Sequence, residues 1–460
     1  MRDFEGIRNL FFTGIGGIGM SALARYCLVG GYNVFGYDRV KTNLTESLEK
    51  EGCTIVYEDS VDLIPRESII KENTLIVNTP AIPDDNKILG FFKAHDFMIF
   101  KRSQILGMIS ELSRTIAVAG THGKTSISTL TAHLLKQSAV DCTAFLGGIS
   151  KNYNSNFITG TGEFVVMEAD EYDRSFHMLQ PETAIITSID PDHLEIYGNY
   201  NNLVEAFNIF TGKIKSGGTL IVNYRIKDKI RVPGNTKIYT YGFDKKADFT
   251  IPSFRSEADA YYFLVDSPFG KLEDLISQLP GALNLENTLG AISLALISGV
   301  TPQEIMKALI YYKGVVRRFD IRINSERVVL IDDYAHHPAE LNFLIDSLRE
   351  FFKGRKITGI FQPHLYSRTR DYAGQFATSL DRLDQIFLLP VYPARELPIP
   401  GVDSNIILEK MKNTKKHLLD REELLAKIES IETDILVTIG AGDIDKLVDP
   451  IEEKLRRKTK

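Results

Sequence analysis

The chain has 460 residues, 43% hydrophobic and 25% charged, and its 54 basic and 60 acidic residues leave a net charge of −6. At about 150 residues per domain the length suggests about three domains, and the composition excludes a disordered, collagen-like or disulfide-knotted chain. No basic excess points to nucleic acid, and three scattered cysteines (Cys27, Cys53 and Cys142) are too few for a disulfide framework or thiolate metal site and fit a reducing cytosol.

The opening residues run into a glycine motif, not the plain apolar region of a signal peptide. The most apolar later run, residues 288–300, is about thirteen residues long, against the roughly twenty that a spanning helix needs. A cytoplasmic protein without a membrane span is expected.

In chain order, short β-branched runs alternate with amphipathic stretches, the pattern of parallel α/β sheets. The first unit reads as a strand at 7–12, glycines, and a helix at 20–28. Strands follow at 33–37 and 74–78. A fresh unit has a strand at 115–119 and a helix with Ile127, Leu130 and Leu134 on one face, then strands at 164–167 and 184–187. Between 219 and 266 strand-like pieces occur without intervening helices, which predicts a small antiparallel sheet beside the parallel one. A third block reads as a strand at 328–331, a helix at 338–352, and strands at 356–361, 386–389 and 435–439. The mildly basic C-terminal tail reads as a solvated helix end. Boundaries fall near 108–114 and 316–322, giving segments 1–111, 112–318 and 319–460. The fold expected is α/β in three domains. The N-terminal and C-terminal ones are Rossmann-like, and the central one is a phosphate-loop ATPase-type parallel sheet with a small antiparallel sheet.

Gly14, Ile15, Gly16, Gly17, Ile18 and Gly19 form a G-x-G-x-x-G between strand and helix. Glycines let the backbone approach a diphosphate, and the helix start offers free N–H groups. Asp38, ending the next strand, sits where it could accept from a ribose hydroxyl. A nicotinamide dinucleotide, another nucleotide diphosphate, or a turn with packing duty only all fit this motif alone.

Gly120, Thr121, His122, Gly123, Lys124, Thr125 and Ser126 match the second half of a phosphate loop and lack the glycine that usually opens it. Backbone N–H groups would wrap a phosphate, Lys124 would neutralise β/γ oxygens, and the Thr125 hydroxyl would reach Mg²⁺. The acidic run 168–173 follows a strand beside that loop. Crowded carboxylates repel, so a hard cation is the natural partner, with Glu168 the leading ligand. His193, in the segment 190–195 after the next strand, is a candidate for a second metal or phosphate role. Two further polar clusters, 332–338 and 362–370, also follow strands, at the sheet edge where α/β proteins bind ligands. Each of these has a plainer reading as a solvated loop or helix cap.

The three blocks thus carry a nucleotide-diphosphate grip, an ATP and Mg²⁺ site, and His, Arg and Tyr side chains at a sheet edge. An ATP-dependent enzyme acting on a nucleotide-linked substrate explains all three. In this combination the chain resembles the Mur ligase family, the ATP-dependent amide-forming enzymes of peptidoglycan precursor synthesis. The resemblance runs from Gly14 to Gly442, through 14–21, 120–126, 168–173, 190–198, 281–287, 314–319, 332–341, 362–369 and 391–404.

The resemblance implies that ATP phosphorylates the carboxylate of UDP-N-acetylmuramate and that L-alanine attacks the acyl phosphate. It implies two Mg²⁺ ions, replaceable by Mn²⁺, one on Thr125 and Glu168 and one on Glu168 and His193. Lys124, His193, His336 and Arg368 would be catalytic. Gly14 to Gly19, Asp38, Thr79 and Ala81 would hold the UDP-sugar. Asn284 and Asn287 would read adenine, Arg318 and Asp332 would lie at the nucleotide, and Tyr334, His336 and Arg368 would receive L-alanine. The family's usual histidine before the first asparagine is Leu283 here, and its usual arginine after His364 is Leu365. Arg370 or Arg395 is a candidate to replace that lost charge. No lysine occurs from 193 to 207, so no carbamylated lysine ligand is expected. A ligase that attaches a ready-made tripeptide, a nicotinamide-dependent dehydrogenase and a nucleotide-sensing protein without turnover are the competing readings.

Overall fold

The computed structural model describes residues 6–192, 194–257, 260–394 and 396–459. They pack as two compact units. One comprises Met1–Phe254, Phe263–Ile276 and Glu286–Lys313, the other Arg255–Tyr262, Ser277–Leu285 and Gly314–Lys460. Three sheets organise the described residues.

The first sheet holds β1 (Asn9–Thr13), β2 (Asn33–Tyr37), β3 (Thr54–Val56), β4 (Thr74–Asn78) and β5 (Met98–Lys101) in the order β3-β2-β1-β4-β5. All its neighbours are parallel. β1 is central and buried at all five positions, as expected of a strand covered on both faces. The order reverses between β1 and β4, so their carboxyl ends flank a topological switch point, where open α/β sheets bind ligands. The glycine loop follows β1 and Thr79 follows β4.

The second sheet holds β6 (Arg114–Ala119), β7 (Cys142–Ser150), β8 (Ser155–Ile158), β9 (Phe164–Glu168), β10 (Thr183–Ile186), β11 (Thr219–Asn223), β12 (Lys237–Gly242), β13 (Phe249–Thr250), β14 (Phe254–Glu257), β15 (Ala260–Ser267) and β16 (Gly270–Ser277). Its order is β14-β15-β13-β12-β11-β10-β6-β9-β7-β8, with β16 on β15. The antiparallel strands expected between 219 and 266 belong to this one mixed sheet and begin later than the sequence suggested. β11, β12 and β13 extend the parallel part, and the direction changes where β15 joins β13. β6 lies between β9 and β10 in parallel register, so the segments after all three strands emerge on one edge.

Beneath β6 runs the helix Lys124–Lys136, with Ile127, Leu130 and Leu134 buried as the periodicity predicted. The β7–β8 hairpin packs on the helix Ile18–Val29, where the Tyr26 ring lies 5.3 Å from Phe145 and 6.1 Å from Phe157. Burying side chains of this size contributes roughly 1.5–3 kcal/mol each. Arg25 in that helix is buried with Glu51 2.7 Å away and also donates to Asn156, so its charge is paired as burial requires. One apolar cluster therefore joins residues of the first sheet, such as Leu10 and Phe12, to residues of the second, such as Ala117 and Met167. The apolar run 288–300 lies mostly in the helix Ala282–Ile297, and among the described residues no helix is long and apolar enough to cross a membrane.

The second unit contains β17 (Asp320–Asn324), β18 (Val329–Asp333), β19 (Ile357–Phe361), β20 (Gln385–Leu388), β21 (Lys416–Leu418) and β22 (Ile435–Ile439), ordered β17-β18-β22-β19-β20-β21. Only β17 is antiparallel. β18 and β19 flank β22, so the clusters that follow them share one carboxyl edge.

Candidate active site

In the first unit the glycine loop is held by its neighbours. The Gly14 and Ile15 N–H groups both donate to the Tyr37 carbonyl, at 2.7 and 3.1 Å, and Gly17 N–H donates to the Gly14 carbonyl. Gly14 has φ +83°, and a Cβ there would meet Thr79 Cγ2 at 2.9 Å, so glycine serves both the turn and the close approach. Asp38, expected at a ribose, accepts from Gly16 N–H at 2.9 Å and Val40 N–H at 3.1 Å. Its carboxylate braces the loop. Ile18 and Gly19 open the following helix, whose first N–H groups lack intrahelical acceptors and carry the positive dipole end. Ala81 is half-buried beyond β4. One group the sequence did not flag is Arg102. Its guanidinium lies against Gly19, where a Cβ would be 2.9 Å from Nη1. It adds a cation to a loop suited to a diphosphate, and only the fold brings it there.

The second loop is held from β10. Thr121 Oγ1 and Ser188 Oγ lie 2.9 Å apart, His122 N–H donates to Ser188 Oγ at 2.9 Å, and Thr187 Oγ1 donates to the His122 carbonyl. Asp190 N–H donates to Thr121 Oγ1 at 3.0 Å, and the Asp190 carboxylate lies 3.7 Å from His122 Nε2. Gly120 has φ +131° and a Cβ there would stand 2.0 Å from Thr187 Oγ1. Gly123 has φ +84°, and the Asn287 amide packs against it. Ser126 lies half-buried in the first turn of the helix.

Lys124 donates to the Gly120 carbonyl at 2.7 Å and to Glu171 at 2.8 Å, and the Glu171 side chain is 0% exposed. Burial works against the Lys124 charge, but Glu171, Asp170 and Glu168 outweigh it and raise its pKa. The acidic run was read as a metal site, and Glu171 as the partner of Lys124 was missed. Thr125 Oγ1 donates to Glu168 Oε1 at 3.1 Å, and Gly147 N–H donates to Glu168 Oε2 at 3.0 Å. A Cβ on Gly147 would fall 2.2 Å from that oxygen, so this glycine makes room for the carboxylate. A hydroxyl and a carboxylate this close offer the hard oxygens that Mg²⁺ prefers. Among the described residues no group of three or more His, Cys, Asp or Glu is placed to hold a metal. His193 lies outside the described residues, as does Arg395.

In the second unit a polar cluster gathers at the carboxyl ends of β18 and β19. The Arg317 and Arg318 guanidinium carbons stand 5.1 and 5.0 Å from the Tyr334 ring centroid. The Tyr334 and His336 rings are 5.3 Å apart, and His336 and His364 are 5.9 Å apart. Arg368 Nη1 lies 3.4 Å from His364 Nδ1, so Tyr334, His336 and Arg368 do come together. Burial lowers the pKa of His336, and burial with His336 and Arg368 nearby lowers that of His364 to about 4. Both rings are neutral at pH 7.

Asp332 is less available than the sequence suggested. It is buried, with Thr438 Oγ1 donating to it at 2.7 Å and Arg317 Nε 3.3 Å away, and burial raises its pKa. Its neighbour Asp333 accepts the Phe319 and Ala335 N–H groups at 2.7 and 2.8 Å and so shapes the turn that carries Arg318. Arg317 and Phe319, on either side of Arg318, have φ of +63° and +45°, a costly conformation for such side chains. Asn284 donates to the Pro280 carbonyl at 2.6 Å. It belongs to the second unit, whereas Asn287 belongs to the first. Leu365 precedes the helix Tyr366–Leu380 at φ +68°, with its N–H on the Tyr392 carbonyl. Arg370 is exposed and paired with Asp371 at 2.7 Å, outside the histidine cluster.

Three family models match the chain. Residues 10–114 match the Mur ligase family catalytic domain, 118–295 the Mur ligase middle domain, and 317–442 the Mur ligase glutamate ligase domain. A UDP-N-acetylmuramate–L-alanine ligase from Parabacteroides distasonis is 48% identical over 454 residues, 98% of each chain. The solved UDP-N-acetylmuramate–alanine ligase of Thermotoga maritima aligns at a TM-score of 0.81 with 27% identity, over 98% of this chain and 99% of that one. A murein peptide ligase from Psychrobacter arcticus aligns at 0.71 with 20% identity, over 97% and 98%. With three strand-end clusters of this kind and matches along nearly its whole length, the chain belongs to the Mur ligase family.

Proposed function

We propose that this protein is an ATP-dependent, ADP-forming ligase that joins the carboxylate of UDP-N-acetylmuramate to L-alanine through an acyl phosphate, in peptidoglycan precursor synthesis. The observation that carries this reading is the 48% identity to the Parabacteroides ligase over 98% of both chains. The residues named above are the types the reaction needs.

Segment 1–111 grips the UDP-sugar with the backbone of Gly14 to Gly19, with Asp38, Thr79, Ala81 and, added by the fold, Arg102. Segment 112–318 holds ATP on Gly120 to Ser126, and Lys124 faces the phosphates. Asn287 and Asn284 read the adenine, since an amide both donates and accepts, and Arg318 faces the phosphates. Segment 319–460 receives L-alanine at Tyr334, His336 and Arg368. Thr125 and Glu168, with His193, would hold Mg²⁺ (two ions, or Mn²⁺ in their place), which screens the repulsion between γ-phosphate and carboxylate. Asp332, beside Arg317, lies at the nucleotide. A cytoplasmic location fits an enzyme that consumes ATP and a UDP-linked sugar.

Mass analysis of the product tests this reading. With ATP, UDP-N-acetylmuramate and L-alanine the sugar nucleotide should gain one alanine in amide linkage. Unmodified sugar nucleotide after full incubation would refute it.

A further inference from the structure

Glu340 stands where three features of the second unit meet. It lies in the first turn of the helix Pro338–Phe351, and its Oε2 accepts the His336 and His337 N–H groups at 2.9 and 3.2 Å. Those bonds alone would make it a helix cap. Two further relations exceed that role. Oε2 lies 3.2 Å from His336 Nδ1, and Oε1 lies 3.9 Å from the Arg318 guanidinium. His336 Nδ1 is also 3.0 Å from the Tyr334 carbonyl oxygen. A ring nitrogen facing two acceptors carries the proton, which leaves the lone pair on Nε2.

We propose that Glu340 is a positioning residue that fixes His336 in its Nδ1–H form, so that Nε2 takes the proton of the incoming L-alanine ammonium. This rests on the ligase reading above. L-Alanine arrives as an ammonium, which has no lone pair for attack. One N–H bond breaks, its electron pair stays on nitrogen, and the proton goes to Nε2. The amine pair then forms the C–N bond at the acyl phosphate carbon. The bond from that carbon to the phosphate oxygen breaks, and inorganic phosphate leaves with its electron pair and takes up the second amine proton, which leaves a neutral amide. The imidazolium faces two cations, Arg318 and Arg368, and the rings of Tyr334 and His364. Glu340 is the anion that offsets them. Arg318 sits on the same carboxylate, so one side chain orients both the phosphate-facing arginine and the amine-facing histidine.

Glu340→Gln keeps an oxygen for the two backbone N–H groups and removes the charge. Nitrogen-15 NMR of histidine-labelled full-length protein should show His336 protonated at Nδ1 in the parent and a mixed or reversed pattern in the variant. The variant's kcat/KM for L-alanine should fall at least ~10-fold, part of the ~10²–10⁴ that a positioned base supplies. Loss of the carboxylate lowers the His336 pKa, so the acid limb of the pH profile should move to lower pH. KM for UDP-N-acetylmuramate should stay unchanged. A folded Glu340→Gln protein with the parent's tautomer and acid limb would reduce Glu340 to a helix cap and overturn the proposal, and so would a parent His336 protonated at Nε2. The NMR result needs no turnover. A parent enzyme inactive toward L-alanine would count against the ligase reading, while the tautomer would still decide the role of Glu340.

Discussion

The Lys124 ammonium lies 2.8 Å from the Glu171 carboxylate, and the Glu171 side chain is wholly buried. The pair sets where the Lys124 ammonium points. Removing one member of a buried ion pair costs about 3–5 kcal/mol. Lys124→Met should therefore abolish ADP formation and lower the melting temperature by several degrees. Adding Glu171→Gln should restore most of the stability and none of the turnover. Thermal denaturation beside an ADP-release assay checks both halves.

Gly120 tolerates no side chain. A Cβ there would lie 2.0 Å from Thr187 Oγ1, and its φ of +131° is unfavourable for other residues. Gly120→Ala should destabilise the protein by roughly 1–3 kcal/mol and raise KM for ATP. A variant with the parent's melting temperature and KM would show that the loop relaxes freely.

Asp38 braces Gly16, so its loss should loosen the glycine loop proposed to hold the sugar nucleotide and spare the chemistry. Asp38→Ala should raise KM for UDP-N-acetylmuramate by about tenfold, the worth of one charge-assisted hydrogen bond, with kcat little changed. Steady-state kinetics at saturating ATP and L-alanine measure the split.

The two nearby arginines should behave differently. Arg368→Ala should raise KM for L-alanine at least ~10-fold, because a charged contact at a partly buried site is lost. Arg370→Ala should leave it within about twofold, because Arg370 is exposed and paired with Asp371. An equal effect of both would place the amino acid elsewhere.

His364 predicts a pH dependence of stability. Its pKa falls from an ordinary 6.5 to about 4 on folding, chiefly by burial. Between those values the unfolded chain binds the proton that the folded chain does not, so stability rises with pH across this window. As pH falls from 6.5 toward 4, His364 should cost up to ~3 kcal/mol. His364→Asn should flatten that part of the curve in urea denaturation.

The strands at 33–37, 74–78 and 435–439 were readable to the residue because each is a short apolar run between polar breaks. The β7–β8 hairpin was not, because Gly147 and Gly148 interrupt its apolar pattern. The onset of the antiparallel strands was misplaced because a strand's direction is set by its neighbour, not by its own residues. The glycine loops, Lys124, Thr125 and Glu168 were visible as local motifs. The roles of Glu171, Arg102 and Glu340 were not legible, because they come from partners that the fold brings to them. Asp332 and Asp333 show the same limit. Adjacent carboxylates look alike in sequence, yet one is buried against Thr438 and Arg317 while the other holds the turn at Phe319.

The most direct test of the central claim is ADP release by the purified full-length protein with ATP and Mg²⁺, measured with each co-substrate alone and in combination. The account predicts release that requires UDP-N-acetylmuramate and L-alanine together and is far slower when murein tripeptide replaces L-alanine. Release that needs the tripeptide and ignores L-alanine, or that proceeds without the sugar nucleotide, would contradict it.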